Sequence, residues 1–349
     1  MDYLVTKEYV KLLGRTSFKD NIRYLSYSCS GIEFEMIGRK AEVVLWTDGA
    51  RWEKDLKAWM AVFINDEEIP SKRFCLEQEE AQYVLFESNQ VETVKIKLIK
   101  YSEAAFAKVG IKTLSIEGQV PIPTLDKDLK IEFIGDSITC GYGNEGQLDV
   151  DCFNTIQENP YLAYAAKTAR ALDADYHLVS WSGIGILSSW VEENMPIRRD
   201  PLMPKLYPYT NLALEEVTGE KLLWNFSEFQ PDYVVIHLGT NDASYTQGIK
   251  EREAAFEATY YQFLLMVRMY HPKAYIICAL GGIDTKLYPI IEKAVESFMK
   301  TEDDRRITCF KFENQIEEDG IGTDSHPSLI THEKMKCQLV QKLQNIMCN

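Results

Sequence analysis

The sequence lacks patterned cysteines. It contains 349 residues and eight cysteines, but none of these forms a C-x-x-C pair and their spacing is irregular. Zinc sites and small disulfide scaffolds both need closer, patterned pairs. We therefore expect reduced thiols that are mostly buried, rather than a disulfide framework or a zinc site.

Long apolar segments and an excess of positive charge are also missing. No run of 18 or more apolar residues occurs, and the first residues show neither the apolar stretch nor the cleavage site of a secretory signal. Lys and Arg number 38 against 53 Asp and Glu, a formal charge of −15, which repels phosphate backbones and anionic membranes. We expect a cytoplasmic protein without a nucleic-acid or membrane partner, whose oligomeric state the sequence leaves open.

The hydrophobic periodicity changes near residue 120. Residues 23–118 contain short runs of alternating polarity, such as KAEVVLWTD and VETVKIKLIK, which are separated by turn residues. Such runs without a long helical segment are typical of an all-β sandwich. The pattern predicts a β-sandwich domain over residues 1–120, a proline-containing linker over 121–128 and a second domain over 129–349.

The second domain alternates between strand and helix patterns. Apolar strand runs begin at residues 129, 174, 231, 273 and 306, and the clearest helical runs cover 251–271, 287–300 and 329–346. Several strand runs are continuously apolar, as buried parallel strands are. This alternation predicts an α/β domain with a doubly wound parallel sheet.

Three of these strand runs end in polar motifs. IEFIGDS places Ser137 after the first, SWSGIG places Gly183 and Gly185 after the second, and HLGTND places Asn241 after the third. Open parallel sheets bind ligands at this carboxyl edge. A serine there can act as a nucleophile, while glycine N–H groups and an asparagine amide can hold an oxyanion. Each motif alone is equally compatible with a helix cap or a turn.

A serine nucleophile needs a base, and the loop DGIGTDSHP contains the best candidate. His326 lies in this loop just before the last helical run, and Asp324 precedes it by two residues. The remaining histidines lie within or at the ends of strand and helix runs: His177, His237, His271 and His332. We therefore predict His326 as the general base.

Together the GDS, strand-end glycine, GxND and DxHP motifs resemble the SGNH (GDSL-type) hydrolase superfamily, over residues 129–349. The resemblance implies a flavodoxin-like strand order and a serine esterase with Ser137 as nucleophile and His326 as base. It also implies an oxyanion hole formed by the N–H groups of Ser137 and Gly183 and the side chain of Asn241, with Gly185 as an alternative to Gly183. This mechanism requires no metal or organic cofactor.

The whole chain resembles carbohydrate esterase family 2. KLLGRTSF and the alternating runs after it resemble the N-terminal jelly-roll domain of that family, and GDSITCGYGN, SWSGIGI and MPKLYPYT resemble its catalytic domain. Members of the family remove O-acetyl groups from plant polysaccharides, xylans and mannans especially. The resemblance implies an acetyl esterase (acetylxylan esterase type) whose substrate is an acetylated manno- or xylo-oligosaccharide.

Two positions depart from the superfamily pattern. The usual aspartate lies three residues before the histidine, where this chain has Thr323, whereas Asp324 lies two residues before it. Asp324 is therefore one candidate for the third catalytic residue, and the alternative is a backbone carbonyl, which family 2 members can use to orient the histidine. Ser325 occupies a position where many members have an aromatic residue that can stack on a sugar.

Aromatic residues after the strand ends are candidates to stack on a sugar ring, with core or loop packing as the alternative. They are Trp181, Tyr207 and Trp224, together with Tyr142 and Tyr209. The sequence is also compatible with three functional alternatives. These are a non-catalytic carbohydrate-binding protein, an SGNH lipase or thioesterase that acts on other acyl groups, and an esterase with Cys140 as its nucleophile.

Overall fold

A computed structural model describes residues 1–348, which divide into two compact units. The first unit comprises Met1–Asp126 with the segments Asn154–Glu158 and Tyr209–Leu223. The second comprises Lys127–Phe153, Asn159–Pro208 and the described chain from Trp224 onward. No helix among the described residues is both long and apolar enough to cross a lipid bilayer.

The first unit is an antiparallel β-structure. Its sheet has the main strand order β3-β4-β9-β5-β8-β6-β7, while β1 pairs with β9, and β2 and β10 pair with β5. The strands are β1 (Asp2–Tyr3), β2 (Lys11–Leu13), β3 (Thr16–Lys19), β4 (Ile22–Leu25), β5 (Gly31–Thr47), β6 (Trp59–Ile64), β7 (Lys72–Cys75), β8 (Glu80–Lys100), β9 (Val109–Gly118) and β10 (Ile122–Pro123).

Alternating burial and local irregularity explain why this sheet curls around a core. On β8 the buried residues Val94, Ile96 and Leu98 alternate with two lysines that are only partly buried, Lys95 and Lys97. Register shifts in the pairing of β5 with β8, beyond Gly38, bend these long strands as β-bulges do. The predicted β-sandwich fold class is confirmed. Strand β10 lies inside the stretch that the sequence predicts as a linker.

The second unit is built on a parallel sheet with the strand order β12-β11-β13-β14-β15, the predicted flavodoxin-like arrangement. Each predicted strand run contains one of its strands. They are β11 (Leu129–Gly135), β12 (Ala174–Ser180), β13 (Tyr233–His237), β14 (Tyr275–Leu280) and β15 (Ile307–Lys311).

Helices separate these strands along the chain, as the sequence predicts for a doubly wound fold. Helix α2 packs against α8 and β12, and α6 packs against α7, which in turn contacts β14 and β15. The helices are α1 (Ser137–Cys140), α2 (Tyr164–Ala171), α3 (Met203–Leu206), α4 (Glu215–Thr218, in the first unit), α5 (Thr240–Thr246), α6 (Lys250–Tyr270), α7 (Tyr288–Thr301) and α8 (Leu329–Met347).

The start of helix α8 is fixed by an N-cap, and the helix is held in the core by its apolar face. The Ser328 hydroxyl caps the helix by accepting a hydrogen bond from the Thr331 N–H at 3.3 Å. Met335, Leu339 and Leu343 recur every four residues and are buried, so one face of the helix is held in the core. The loop that contains His326 therefore joins a firmly anchored element.

A buried polar cluster lies beneath the segment that follows α3. Glu132 on β11 is fully buried, and its carboxylate accepts a hydrogen bond from the Tyr207 hydroxyl at 2.5 Å. Nε2 of His271 lies 2.7 Å from the same hydroxyl and 3.2 Å from the carboxylate. A buried carboxylate is costly unless it has such partners, so the cluster fixes Tyr207 against the sheet.

Removal of the Tyr207 hydroxyl should therefore destabilise the second unit. In Tyr207→Phe the ring still fills its site, but Glu132 loses a close donor in a place that water does not reach. We expect a loss of roughly 1–3 kcal/mol in the free energy of unfolding, measured by urea denaturation. Tyr275→Phe on β14 is the matched control, because Tyr275 is only partly buried. Equal stability of the two variants would contradict a supporting role for this cluster.

Candidate active site

Strand β11, which pairs with β12 and β13, helps to bring three polar loops to one edge of the sheet. Gly135 at the end of β11 is level with Ser180 on β12 and with His237 on β13. Because all three strands are parallel, their carboxyl ends lie side by side. The residues that follow them, which include Ser137, Gly183 and Asn241, therefore emerge at the same place.

A tight turn from β11 into α1 presents Ser137. The Asp136 side chain caps α1 by accepting a hydrogen bond from the Ile138 N–H at 3.0 Å. A Cβ on Gly135 would lie 2.0 Å from Oγ1 of Thr139, so the turn requires glycine there. Ser137 is the first residue of α1 and is largely buried, with 6% of its surface exposed.

His326 is hydrogen-bonded to Ser137. Its Nε2 lies 2.8 Å from the serine Oγ, while its Nδ1 lies 3.2 Å from the Thr323 carbonyl oxygen and 3.1 Å from that of Asp324. A carbonyl can only accept, so these contacts require the proton on Nδ1 and leave the Nε2 lone pair facing the serine hydroxyl. This is the tautomer that a general base for Ser137 needs.

The environment of His326 keeps its ring neutral. Burial lowers its pKa below the usual value, against the opposing effects of the Thr323 and Asp324 carbonyls and the Asp324 charge. The neutral form, which can accept a proton, is therefore favoured over the imidazolium before reaction.

The loop before His326 is bonded to the segment that follows the serine. The Thr323 N–H donates to the Gly143 carbonyl at 3.0 Å, and the Gly322 N–H donates to the His326 carbonyl at 2.8 Å. A Cβ on Gly143 would lie 2.9 Å from that of Thr323, so glycine permits the close approach of the two segments. The serine and histidine are thus held by a common backbone network.

The carboxylate of Asp324 has a different partner from the one expected in a full triad. Its Oδ2 accepts a hydrogen bond from the Tyr142 hydroxyl at 2.9 Å, and the side chain is exposed. The main-chain carbonyls of Thr323 and Asp324 occupy the place beside Nδ1 of His326. The geometry thus matches the alternative with a backbone carbonyl, and a catalytic role for the carboxylate stays a prediction.

Asn241 connects the ends of all three strands. Its side-chain amide donates to the Ile184 carbonyl at 2.9 Å and lies 3.3 Å from the Asp136 carboxylate. Gly183 adopts a φ of +75°, and a Cβ there would meet no atom within 4 Å, so its surroundings are open. A Cβ on Gly185, in contrast, would lie 2.0 Å from the Ser188 carbonyl. Of the two glycines, Gly183 is the one with space beside it.

A buried carboxylate that is not among the predicted site residues shapes the loop that contains Gly183 and Gly185. Asp242 is fully buried and accepts backbone hydrogen bonds from Ile186 at 3.0 Å, Leu187 at 2.7 Å and Ser188 at 2.9 Å. Three successive N–H groups that converge on one carboxylate fix the path of the backbone. Asp242 is part of the GTND motif, but its spacing relative to these amides is visible only in the folded chain.

The predicted sugar-binding aromatics occupy different environments. Tyr207 is fully buried in the Glu132 cluster and Trp224 is 9% exposed, so neither offers a ring face that a sugar can reach. Trp181 is partly exposed. Trp190, which is not among the predicted aromatics, is 51% exposed, and its backbone N–H donates to the Gly183 carbonyl at 2.8 Å. It lies ten residues beyond the end of β12, outside the strand-end motifs.

Cys140 and the other histidines occupy buried positions. Cys140 is fully buried, and its thiol donates to the Ser180 hydroxyl at 3.2 Å, so it is not presented as a nucleophile. His237 and His332 are buried, and burial lowers the pKa of each, to about 4 and about 3 respectively. Within the described residues of the second unit, no three His, Cys, Asp or Glu side chains lie close enough to hold a metal ion.

Comparisons with known proteins match both parts of the chain. Residues 133–308 match the GDSL-like lipase/acylhydrolase family, and residues 12–123 match the carbohydrate esterase 2 N-terminal domain. The chain is 30% identical to the cellulase/esterase CelE of Acetivibrio thermocellus, over 95% of this chain and 39% of that protein. It therefore spans well under half the length of CelE.

Two further proteins align with this chain over most of the length of both partners. An acetylxylan esterase / glucomannan deacetylase of Cellvibrio japonicus is 27% identical over 97% of this chain and 89% of that protein. A family two carbohydrate esterase from Clostridium thermocellum, solved with cellohexaose, is 29% identical, with a TM-score of 0.84 over 97% of this chain and 99% of that one.

The acetyl xylan esterase Est2A from Butyrivibrio proteoclasticus has a similar structure. It is 25% identical, with a TM-score of 0.89 over 99% of this chain and 98% of that one. The similarity thus extends through both units, and the predicted resemblance is confirmed. This chain belongs to the GDSL-like lipase/acylhydrolase family, and its N-terminal part matches the N-terminal domain of carbohydrate esterase family 2.

Proposed function

We propose that this protein is a serine esterase that removes O-acetyl groups from plant-derived oligosaccharides of the xylan or mannan type. The observation that carries the proposal is the contact between Ser137 Oγ and His326 Nε2 at 2.8 Å, with Nδ1 held by carbonyl acceptors. The names of the relatives, an acetylxylan esterase and a glucomannan deacetylase among them, support the choice of acyl group and sugar.

The proposed reaction begins with attack by Ser137. As its Oγ bonds to the acetyl carbonyl carbon, His326 Nε2 takes the hydroxyl proton, and the imidazolium then gives that proton to the departing sugar oxygen. Water enters, loses a proton to His326 and attacks the acetyl-serine, so that acetate leaves and Ser137 regains its proton. Two carbonyl oxygens beside Nδ1 stabilise the positive charge that the ring carries between these steps.

The oxyanion of each tetrahedral intermediate needs donors at the same sheet edge. We assign this role to the N–H groups of Ser137 and Gly183 and to the Asn241 amide. The open surroundings of Gly183 support its assignment over Gly185. The Asn241 amide carries two hydrogens, which now face the Ile184 carbonyl and the Asp136 carboxylate, and one of them would be shared with the oxyanion.

The proposed function predicts that the protein releases acetate from acetylated xylo- and manno-oligosaccharides, and NMR can measure this release. Ser137→Ala should abolish turnover, because it removes the hydroxyl that is hydrogen-bonded to Nε2 of His326, and should leave the thermal unfolding midpoint nearly unchanged. The matched control is Ser297→Ala on α7, an exposed serine remote from the site in sequence. Cys140→Ala should retain activity.

Other outcomes of this experiment would support rival functions. Binding of the oligosaccharides without turnover by the wild-type protein would indicate a carbohydrate-binding protein. Activity that rises from acetate to octanoate esters would indicate a lipase or thioesterase. Substantial turnover by Ser137→Ala would show that the nucleophile is another residue.

The pH dependence of kcat/KM should report the titration of His326. The base must be neutral, so activity should be low in acid, should rise as the pH passes the pKa and should then level off. Because burial lowers this pKa, the midpoint should lie below about 6.5. The measurement is kcat/KM for p-nitrophenyl acetate between about pH 4 and 9, and a flat profile over this range would exclude a titrating histidine.

Trp190 should contribute to binding of the sugar but not to the chemical step. Its exposed ring can stack on a pyranose, and aromatic contacts of this kind are worth about 1 kcal/mol, or roughly fivefold in KM. Trp190→Ala should therefore raise KM for acetylated oligosaccharides while kcat for p-nitrophenyl acetate stays within about twofold. Met269→Ala, an exposed position on α6, serves as the control. An unchanged KM would rule out Trp190 as a sugar platform.

A further inference from the structure

The turn before His326 has an uncommon backbone conformation. Asp324 and Ser325 have φ values of +53° and +63°, in the left-handed region that residues other than glycine rarely adopt. The carbonyl of Asp324 is one of the two acceptors for Nδ1 of His326. The direction of that carbonyl, and thus of the imidazole, depends on keeping this turn in its conformation.

Tyr142 contacts this turn and the imidazole together. Its hydroxyl donates to Oδ2 of Asp324 at 2.9 Å, and its ring centroid lies 4.5 Å from that of His326 at an angle of 40°. The ring also stacks on Phe153, with centroids 3.7 Å apart and an angle of 5° between the planes. Phe153 therefore fixes the ring from which the hydroxyl reaches Asp324.

Tyr142 is also bonded to the turn that carries the nucleophile. Its backbone N–H donates to the Ser137 carbonyl at 3.1 Å. The contacts thus form a closed ring of hydrogen bonds. The backbone of Tyr142 is bonded to Ser137, and its hydroxyl is bonded to the Asp324 side chain. The Asp324 carbonyl accepts from His326, whose other ring nitrogen contacts Ser137 Oγ. The hydroxyl of Tyr142 closes this ring of hydrogen bonds between the two catalytic loops.

We propose that Tyr142 and Asp324 form a positioning pair, in which the Asp324 side chain acts as an anchor for its own backbone. The carboxylate accepts the Tyr142 hydroxyl, this bond holds the left-handed turn, and the turn aims the Asp324 carbonyl at Nδ1 of His326. Tyr142 is therefore a positioning residue rather than a sugar platform. The proposal rests on the proposed function, since its consequence for rate requires His326 to act as the base.

The positioning pair predicts different effects of substitutions at Asp324 from those expected if the carboxylate acted through its negative charge. Asn at position 324 keeps an oxygen that can accept the Tyr142 hydroxyl, whereas Ala removes the acceptor. Asp324→Asn should therefore retain kcat within about threefold, while Asp324→Ala and Tyr142→Phe should each lower kcat roughly tenfold to a hundredfold with little change in KM. The double variant Tyr142→Phe/Asp324→Ala should be no slower than the slower single variant, because both changes break one contact.

The measurements are kcat and KM for an acetylated oligosaccharide, thermal unfolding and the NMR signal of the Nδ1 proton of His326. We expect that signal to persist in Asp324→Asn and to broaden through solvent exchange in Tyr142→Phe, although Phe keeps the stack on Phe153. Equal losses for Asp324→Asn and Asp324→Ala would overturn the proposal in favour of a charge effect. Full activity of Tyr142→Phe, or additive losses in the double variant, would also overturn it.

The NMR signal separates failure of this inference from failure of the proposed function. If the wild-type protein releases no acetate from any acetylated sugar, the proposed function fails. The response of the Nδ1 proton to Tyr142→Phe and Asp324→Asn still reports whether the pair holds the imidazole. An unaltered signal in Tyr142→Phe contradicts the positioning pair whatever the activity is.

Discussion

The level pairing of β11 with β12 and β13 is the constraint on which the site depends. Gly135, Ser180 and His237 lie side by side, so loops that are far apart in the sequence leave the sheet together. Parallel strands keep this alignment because their hydrogen bonds leave no freedom to slip without moving buried side chains. The amide of Asn241 then joins the three loops by direct contacts.

The base is held mainly by backbone atoms. Carbonyl oxygens face Nδ1 of His326, and the backbone of Gly143 fixes the loop that supplies them. A carbonyl dipole stabilises an imidazolium less strongly than a full negative charge does. It also cannot take up a proton itself, so the tautomer is set by geometry alone. This arrangement makes the conformation of the turn at Asp324 and Ser325 important.

Buried carboxylates in the second unit shape the surroundings of the site without entering it. Asp242 gathers three amides of the loop after β12, and Glu132 holds the Tyr207 hydroxyl beneath the segment that follows α3. Each carboxylate has enough donors to offset part of its desolvation. The loop after β12 and the segment after α3 are thus each held by a buried carboxylate.

The sequence by itself determined the two-part organisation, the order of strands and helices and the choice of Ser137, His326 and Asn241 as candidates. These follow from periodicity and from motifs at strand ends, which are local properties of the chain. Only the tertiary structure decided that the Asp324 carboxylate faces Tyr142, that Tyr207 lies in the core and that Trp190 is open to solvent. Such outcomes depend on which distant groups meet a side chain after folding, and no local pattern encodes those distances.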